Sequence, residues 1–233
     1  MVPAGFPRIK PYIPPGGHDF TIVGEAPGVM EVQLGRPFVG ASGQELRKLC
    51  SEAGLDMSRA FLTNVFLSQP PSNNVEAFLV PTKEASPAAR AKGLVSKGKY
   101  ISDLWLPELA RLQSELLQFP SPIIIALGNT AMWALLGHSG ISAHRGVMAR
   151  STLVPNSLVL PTYHPAAVLR NYQWRPIVIS DLSKAQRHLA GEAVLATEDD
   201  FELIINPTLA DIQTFYNSCT SCVGLAIDVE TKA

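Results

Sequence analysis

The hydrophobic positions predict strands that alternate with helices along most of the chain. Short, continuous apolar runs at 20–23, 60–66, 122–127 and 157–160 are typical of buried parallel strands. Segments with helical spacing of apolar residues lie between or after these runs, at about 42–54, 104–119, 131–136, 166–170 and 175–189. The pattern therefore predicts an α/β fold, a three-layer αβα arrangement with a central, mostly parallel sheet.

Proline content and charge divide the sequence into four predicted regions. Residues 1–18 contain several prolines and are predicted to form an extended arm, whereas 19–190 carry the alternating pattern of the main domain. Residues 191–200 are acidic and are predicted to be a linker. Residues 201–233 contain a predicted strand, helix and strand at 201–206, 209–216 and 223–229. We expect this last region to be the truncated start of another domain.

The segments between the regular elements are interpreted as loops. Glycines and prolines after the first strand predict a tight loop that leads into the helix beginning near Ser42. Residues 68–74 and 138–145 are also predicted loops, and 75–102 show no clear periodicity. The lysines and arginines of 75–102 are compatible with phosphate contacts, but a solvated surface is the more common explanation.

Composition narrows the class of protein. Apolar residues make up 46% of the 233 positions, enough for a full core, and charged residues make up 17%, too few for a disordered chain. The formal net charge of −1 does not by itself indicate a nucleic-acid partner. Three cysteines do not suggest a disulfide scaffold. With no predicted signal peptide or membrane span, we expect a soluble, cytoplasmic protein with no membrane partner.

Polar residues that carry chemistry lie at the predicted carboxyl ends of the strands. The glycine-rich loop after the first strand holds a carboxylate, a guanidinium and an aromatic ring, on Glu25, Arg36 and Phe38. Asn64 and His164 follow two other strands. Because the carboxyl ends of parallel strands meet at one edge, we expect these groups to gather in one site. The alternatives are a solvent-facing or capping Asn64, a core Phe38 and a structural His164.

Several short motifs occur in an order that resembles the uracil-DNA glycosylase superfamily, most closely its family 4. They are Gly24-Glu25-Ala26-Pro27-Gly28, Gly35-Arg36-Pro37-Phe38-Val39-Gly40, Leu62-Thr63-Asn64-Val65, Ala126-Leu127-Gly128 and Thr162-Tyr163-His164-Pro165-Ala166-Ala167-Val168-Leu169-Arg170. Together they cover roughly residues 17–190. The resemblance implies a uracil-DNA glycosylase-like fold and an enzyme that acts on a base turned out of the DNA stack.

The resemblance also implies roles for individual residues. Phe38 would stack on the flipped uracil, Asn64 would bind its Watson–Crick edge, and His164 would stabilise negative charge at O2. Glu25 and the turn that follows it would position the attacking water. The implied uracil-binding set is Gly24, Ala26, Pro27, Gly28, Phe38 and Asn64. The most efficient members of the superfamily resemble this chain with Asp in place of Ala26, so we expect a dissociative mechanism.

DNA contacts are expected from loops at the same edge of the sheet. By resemblance, the segment from Ala166 enters the minor groove, with Leu169 as the wedge that fills the vacated stack. Arg170 would meet a phosphate. Ser42, Gln69 and Pro71 lie in segments expected to contact the DNA backbone.

One departure from family 4 concerns its iron–sulfur cluster, which four cysteines usually hold. The N-terminal pair of cysteines is missing, and Ser68 stands where a further ligand is expected. Cys50 matches no ligand position, and the single CxxC pair of Cys219 and Cys222 lies outside the glycosylase-like region. On this basis the sequence predicts no iron–sulfur cluster, no other cofactor and no metal in the main domain.

The C-terminal region carries a second resemblance. Ala226-Ile227-Asp228-Val229-Glu230-Thr231 is similar to the first metal-binding motif of the 3′–5′ exonuclease domain of family A DNA polymerases. In a complete exonuclease domain, Asp228 and Glu230 would hold divalent ions. The other exonuclease motifs are absent, so no nuclease activity is expected of this chain. The expected context is the N-terminal part of a viral (phage-type) DNA polymerase, with the remaining polymerase and exonuclease domains as partners.

Three functional hypotheses remain at this point. The first is a uracil-DNA glycosylase within a replication protein, acting on uracil-containing DNA and leaving an abasic site. The second is a non-catalytic module that binds uracil or template DNA for a polymerase. The third is an α/β nucleotide-binding domain, which predicts affinity for a free nucleotide and none for uracil-containing DNA.

Overall fold

A computed structural model describes residues 5–192 and 208–219 and divides the chain into two compact units, Met1–Val194 and Leu195–Ala233. The helices and strands of the first unit are β1 (Phe20–Gly24), α1 (Val29–Leu34), α2 (Ala41–Glu52), β2 (Ala60–Asn64), β3 (Leu79–Pro81), α3 (Pro87–Arg90), β4 (Lys99–Ile101), α4 (Leu106–Gln118), β5 (Ile123–Leu127), α5 (Gly128–Leu136), α6 (Ile141–His144), β6 (Ala149–Arg150), β7 (Leu158–Thr162), α7 (Pro165–Arg170) and α8 (Arg175–Leu189). The second unit contributes α9 (Leu209–Cys219).

A five-stranded sheet in the order β2-β1-β5-β7-β6 forms the centre of the first unit. The first four of these strands are parallel, and β6 pairs antiparallel to β7 at the edge. The register places Gly24 beside Asn64 and Leu127 beside Thr162, so the four parallel strands end at one edge. The predicted mostly parallel sheet is confirmed.

Helices cover both faces of this sheet, because every buried strand alternates its side chains between two apolar layers. Phe20 and Ile22 of β1 pack into a core with α2 and α8, whereas Val23 joins the core that contains α4 and α5. Helix α4 contributes Leu109, Leu112 and Leu116 to the core that contains Val23, and their spacing places them on one face of the helix. The structure therefore has the expected three-layer αβα architecture.

The N-terminal arm does more than lie over the domain surface, because its backbone pairs with β2 and with the segment after it. Tyr12 and Leu62 exchange two backbone hydrogen bonds (2.8 and 2.9 Å), and Arg8 forms an antiparallel bridge with Ser68. Ile9, between them, is buried. Since β2 is an edge strand with unpaired backbone groups, the arm supplies partners for it.

Short elements inside the predicted loops and inside the unassigned segment 75–102 are the main differences from the sequence-based expectation. The loop after β1 contains α1, the predicted loop at 138–145 contains α6, and the segment 75–102 contains α3 and an antiparallel pair of β3 and β4. Elements of three to six residues span too little of a period to leave a hydrophobic pattern.

The predicted helix at 209–216 is confirmed as α9. The predicted strands at 201–206 and 223–229, together with Asp228 and Glu230, lie outside the described residues. Among residues 5–192 and 208–219, no helix combines the length and apolar character needed to cross a membrane.

Candidate active site

A cavity of about 540 Å³ opens where the parallel strands end. Glu25 follows β1, Asn64 ends β2, and His164 follows β7, so the register of the sheet brings all three to its wall. The residues predicted from the sequence that line this cavity are Glu25, Ala26, Gly28, Phe38, Ser42, Asn64, His164, Ala166 and Arg170. The expected gathering of strand-end residues is therefore present.

Glu25 is held in the cavity by a neighbour from α5. The hydroxyl of Thr130 donates a hydrogen bond to Glu25 Oε2 (2.5 Å). Burial raises the pKa of Glu25, while the Thr130 hydrogen bond and the charge of Arg170 act in the opposite direction. The site thus contains a desolvated carboxyl group whose ionised form is supported by a donor and a cation.

The Phe38 ring is presented by an unusual backbone conformation. Phe38 has φ of +55°, a left-handed value that is rare for an aromatic residue and is typical of functional sites when surrounding contacts impose it. The buried carboxylate of Glu31 accepts the Phe38 N–H (2.9 Å) and the Gly28 N–H (2.5 Å). Arg47 donates to the Phe38 carbonyl (2.9 Å). Glu31 therefore connects the turn after Glu25 to the backbone of Phe38.

Gly43 allows α2 to lie close to the backbone of Phe38. A Cβ atom on Gly43 would lie 1.9 Å from the carbonyl oxygen of Phe38, so no side chain fits there. The glycine-rich sequence before α2 is thus explained by a close backbone contact that supports Phe38.

Asn64 has a buried side chain that lines the cavity. Asn64 is 3% exposed, and its backbone carbonyl accepts a hydrogen bond from Arg111 (2.8 Å). Among the described residues, no hydrogen bond to the Asn64 side-chain amide is formed. Because a buried amide needs partners, this group suits a ligand with a matching donor and acceptor. The solvent-facing alternative for Asn64 is wrong.

The missing side chain of Gly24 leaves space for the side chains of Asn64 and Phe38. Replacing Gly24 therefore tests whether the positions of these two side chains matter for activity. A Cβ atom at Gly24 would lie 2.3 Å from Asn64 Oδ1 and 2.8 Å from Phe38 Cζ. We expect Gly24→Ala to displace both side chains and to lower kcat/KM for the reaction at this site by about 100-fold.

Gly40→Ala is the matched control for this substitution, since its Cβ atom would meet only an ordinary 3.7 Å contact with Met30. Gly40 has φ of −75°, which any residue adopts, and its variant is expected to retain activity. Equal kcat/KM in the Gly24→Ala and wild-type proteins would show that Gly24 has no such role.

His164 caps helix α7 and is held in one tautomer. The Ala166 N–H donates to His164 Nδ1 (3.1 Å), which leaves Nε2 to carry the proton of the neutral ring. Burial, and then the charge of Arg170, lower the pKa of His164 to about 4. At neutral pH the ring is therefore an uncharged hydrogen-bond donor at the cavity.

Some predicted site residues lie away from the cavity wall. Gly24 lies behind Asn64 and Phe38, and Pro27 is in the turn between two lining residues. Gln69 and Pro71 line a separate groove beside the arm, although Gln69 donates to Asn73 (2.9 Å), which lines the main cavity. Leu169 is 48% exposed on α7.

The structure also places at the cavity residues to which the sequence analysis assigned no role. The cavity wall includes Glu31, Asn129, Tyr163 and Trp174, and the rings of Tyr163 and Trp174 stack 4.4 Å apart. The position of Glu31 in the glycine-rich stretch after β1 could have marked it as a candidate site residue. No sequence pattern indicated Trp174, which reaches the cavity through the turn after α7.

Comparison with known proteins finds type-4 uracil-DNA glycosylases among the relatives of this chain. A type-4 uracil-DNA glycosylase of Pyrobaculum aerophilum is 35% identical over 169 residues, covering 70% of this chain and 74% of the relative. Those of Sulfurisphaera tokodaii and Thermotoga maritima are 31% and 29% identical over 167 and 174 residues, respectively. These alignments cover 71% and 74% of this chain and 68% and 78% of the two relatives.

This similarity corrects the expectation that no iron–sulfur cluster is present. That prediction is wrong by this comparison, because the relatives are type-4 enzymes and type-4 enzymes are iron–sulfur proteins. The described residues nevertheless do not fit a cluster: they contain no group of three or more His, Cys, Asp or Glu placed to hold a metal ion. Cys50 is buried in α2, and burial raises the pKa of its thiol to about 12. The chemistry of the cavity is therefore derived from its own side chains.

The part of the chain that matches a protein family contains both the central sheet and the cavity. The sequence profile of the uracil DNA glycosylase superfamily matches residues 10–188. This range contains every strand of the central sheet and every residue that lines the cavity. The profile, the relatives and the fold together show that the chain belongs to the uracil DNA glycosylase superfamily.

Proposed function

We propose that this protein is a uracil-DNA glycosylase that hydrolyses the N-glycosidic bond of a flipped deoxyuridine and leaves an abasic site. The observation that carries the proposal is the convergence of Glu25, Phe38, Asn64 and His164 on one cavity at the carboxyl ends of parallel strands. The names of the type-4 relatives support the same reaction.

The proposed chemistry uses each of these groups on a different part of the nucleotide. The Phe38 ring stacks on uracil, and the free Asn64 amide pairs with N3–H and O4. As the glycosidic bond breaks, negative charge develops on the base, and the neutral His164 donates from Nε2 to O2. Glu25 orients the attacking water, and Ala26 supplies no second carboxylate. Charge stabilisation by the protein therefore contributes more than proton abstraction.

The proposed DNA contacts lie beside the cavity and in the separate groove next to the arm. Leu169, exposed on α7, is placed in this proposal as the wedge that fills the vacated stack. Arg170 lines the cavity beside it and carries charge for a neighbouring phosphate. Ala166 begins the segment proposed to enter the minor groove, and the proposed backbone contacts come from Ser42, Gln69 and Pro71.

The proposed parent of this domain is a family A DNA polymerase in the cytoplasm of a host cell. The similarity of residues 226–231 to an exonuclease metal-binding motif supports it, and these residues lie outside the described part of the chain. The proposed organisation is an arm (1–18), a glycosylase domain (19–190), a linker (191–200) and the start of an exonuclease-like domain (201–233).

The test of the proposed function is release of uracil from an end-labelled single-stranded oligonucleotide, followed by alkaline cleavage at the abasic site. We expect cleavage at uracil and none in matched oligonucleotides with cytosine or thymine at that position. Binding to uracil-containing DNA without release would favour the non-catalytic binding module. Affinity for free nucleotides alone would favour the nucleotide-binding domain.

A further inference from the structure

We propose that Thr130 is a positioning residue that keeps Glu25 ionised and fixes which carboxylate oxygen faces the attacking water. This inference rests on the proposed glycosylase function, within which it assigns a role to a residue outside the recognised motifs. Thr130 touches neither the base nor the water in this proposal. It acts through Glu25.

The fold brings Thr130 to Glu25 through the first turn of α5. Gly128 begins this helix with φ of +85°, and a Cβ atom on it would lie 3.1 Å from His164 Cβ. The absence of that side chain lets α5 start close against the residue that caps α7. Thr130 is then 4% exposed, with its hydroxyl 2.5 Å from Glu25 Oε2.

The direction of this hydrogen bond follows from the chemistry of the two groups. An ionised carboxylate can only accept, so the Thr130 hydroxyl is the donor. This bond fixes the orientation of the carboxylate, and Oε1 has no protein donor among the described residues, so it is the oxygen we assign to the water molecule. A donor to the ionised form also favours ionisation, whereas burial of Glu25 opposes it.

The other charged or titratable groups on the cavity wall come from three neighbouring segments. They are Glu31 on α1, Tyr163 after β7, and His164 and Arg170 at the two ends of α7. Arg170 acts on Glu25 in the same direction as Thr130, and α5 itself places no charged side chain on this wall. Thr130 is thus the hydroxyl donor to Glu25 among the described residues.

The decisive substitution is Thr130→Val, which keeps the branched shape and removes the donor. We expect the titration midpoint of Glu25 to rise by about one pH unit, because the ionised form loses a charge-assisted hydrogen bond. The midpoint is measured from the ¹³C shift of the Glu25 carboxyl, assigned by comparison with Glu25→Gln. The acidic limb of the single-turnover rate profile for uracil release should move upward by the same amount. Thr130→Ser is expected to restore both values.

Thr63→Val is the matched control. Thr63 is buried like Thr130 and likewise donates its hydroxyl to a glutamate, Glu115 (2.9 Å), but neither Thr63 nor Glu115 lines the cavity. This variant should leave the Glu25 midpoint unchanged even where it lowers thermal stability.

An unchanged Glu25 midpoint in Thr130→Val, or an equal rise in Thr63→Val, would overturn the role of Thr130. The carboxyl titration does not require turnover, so it decides this point by itself. Absence of uracil release by the wild-type protein would instead contradict the glycosylase function.

Discussion

Replacing His164 by alanine is expected to slow single-turnover release of uracil by about 100- to 1,000-fold, the usual loss when one preorganised donor to a developing anion is removed. The measurement is the rate of base release at saturating enzyme, followed by alkaline cleavage. Affinity for uracil-containing DNA should change much less, because the charge at O2 develops only as the bond breaks.

The size of the expected effect follows from the state of the imidazole. Its Nδ1 accepts the Ala166 N–H (3.1 Å), so the neutral ring presents its proton at Nε2. The pKa of about 4 means that this neutral form is present throughout the physiological range. A neutral donor can stabilise the departing uracil anion without a prior protonation step, so little pH dependence near neutrality should come from His164.

Two further variants separate this role from a structural one. His164→Asn retains a side chain that suits the N-terminus of α7 but lacks the imidazole donor, and it should be as slow as His164→Ala. His188→Ala removes a histidine near the end of α8, outside the cavity, and should release uracil at the wild-type rate. Wild-type rates in both His164 variants would remove His164 from the mechanism.

The low pKa of His164 also makes a prediction about stability. The ring has a folded-state pKa of about 4 against an ordinary value of 6.5, so the unfolded chain binds the proton first as pH falls. Folding stability attributable to His164 is therefore present above about pH 6.5 and is lost as pH decreases toward 4. The free energy of unfolding of His164→Ala should lack this part of the wild-type pH dependence.

The sequence could predict the layers of the fold because burial leaves a strong pattern. The strands at 20–23 and 122–127 are covered on both faces, so almost every residue in them is apolar. Helix α1 could not be predicted in this way, since its first position, Val29, is exposed and its one buried side chain is the carboxylate of Glu31. Its stability comes from capping and tertiary contacts, which a hydrophobic pattern does not record.

The gathering of strand-end residues in one place was predictable because parallel strands bring their carboxyl ends together. Glu25, Asn64 and His164 each follow or end a strand, and the register confirms that they share one edge. Thr130 and Trp174 were not predictable, because Thr130 reaches Glu25, and Trp174 reaches the cavity, only through packing between distant segments. The Thr130 bond to Glu25 spans 105 positions in the sequence, a separation at which no local pattern exists.

Changing Asn64 to aspartate is expected to lower uracil release by about 100-fold and to create release of cytosine that increases toward acidic pH. The uracil loss follows because an ionised aspartate has no donor for O4 and leaves that acceptor unpaired in a buried pocket. Both rates are measured on otherwise identical oligonucleotides that contain uracil or cytosine at one position. Asn64→Ala is the control, and it should lose uracil release without gaining activity on cytosine.

The gain on cytosine depends on protonation of the new carboxyl group. Residue 64 is 3% exposed, and burial of this kind raises the pKa of a carboxyl group, so the neutral acid is accessible at mildly acidic pH. Its O–H can then donate to cytosine N3, while its carbonyl oxygen accepts from the N4 amino group. If Asn64→Asp leaves uracil release unchanged and yields no cytosine release at any pH, Asn64 does not read the base. Arg111 donates a hydrogen bond to the backbone carbonyl of residue 64 (2.8 Å), and this bond does not depend on the side chain. The substitution therefore tests the side-chain amide while the backbone hydrogen bond is retained.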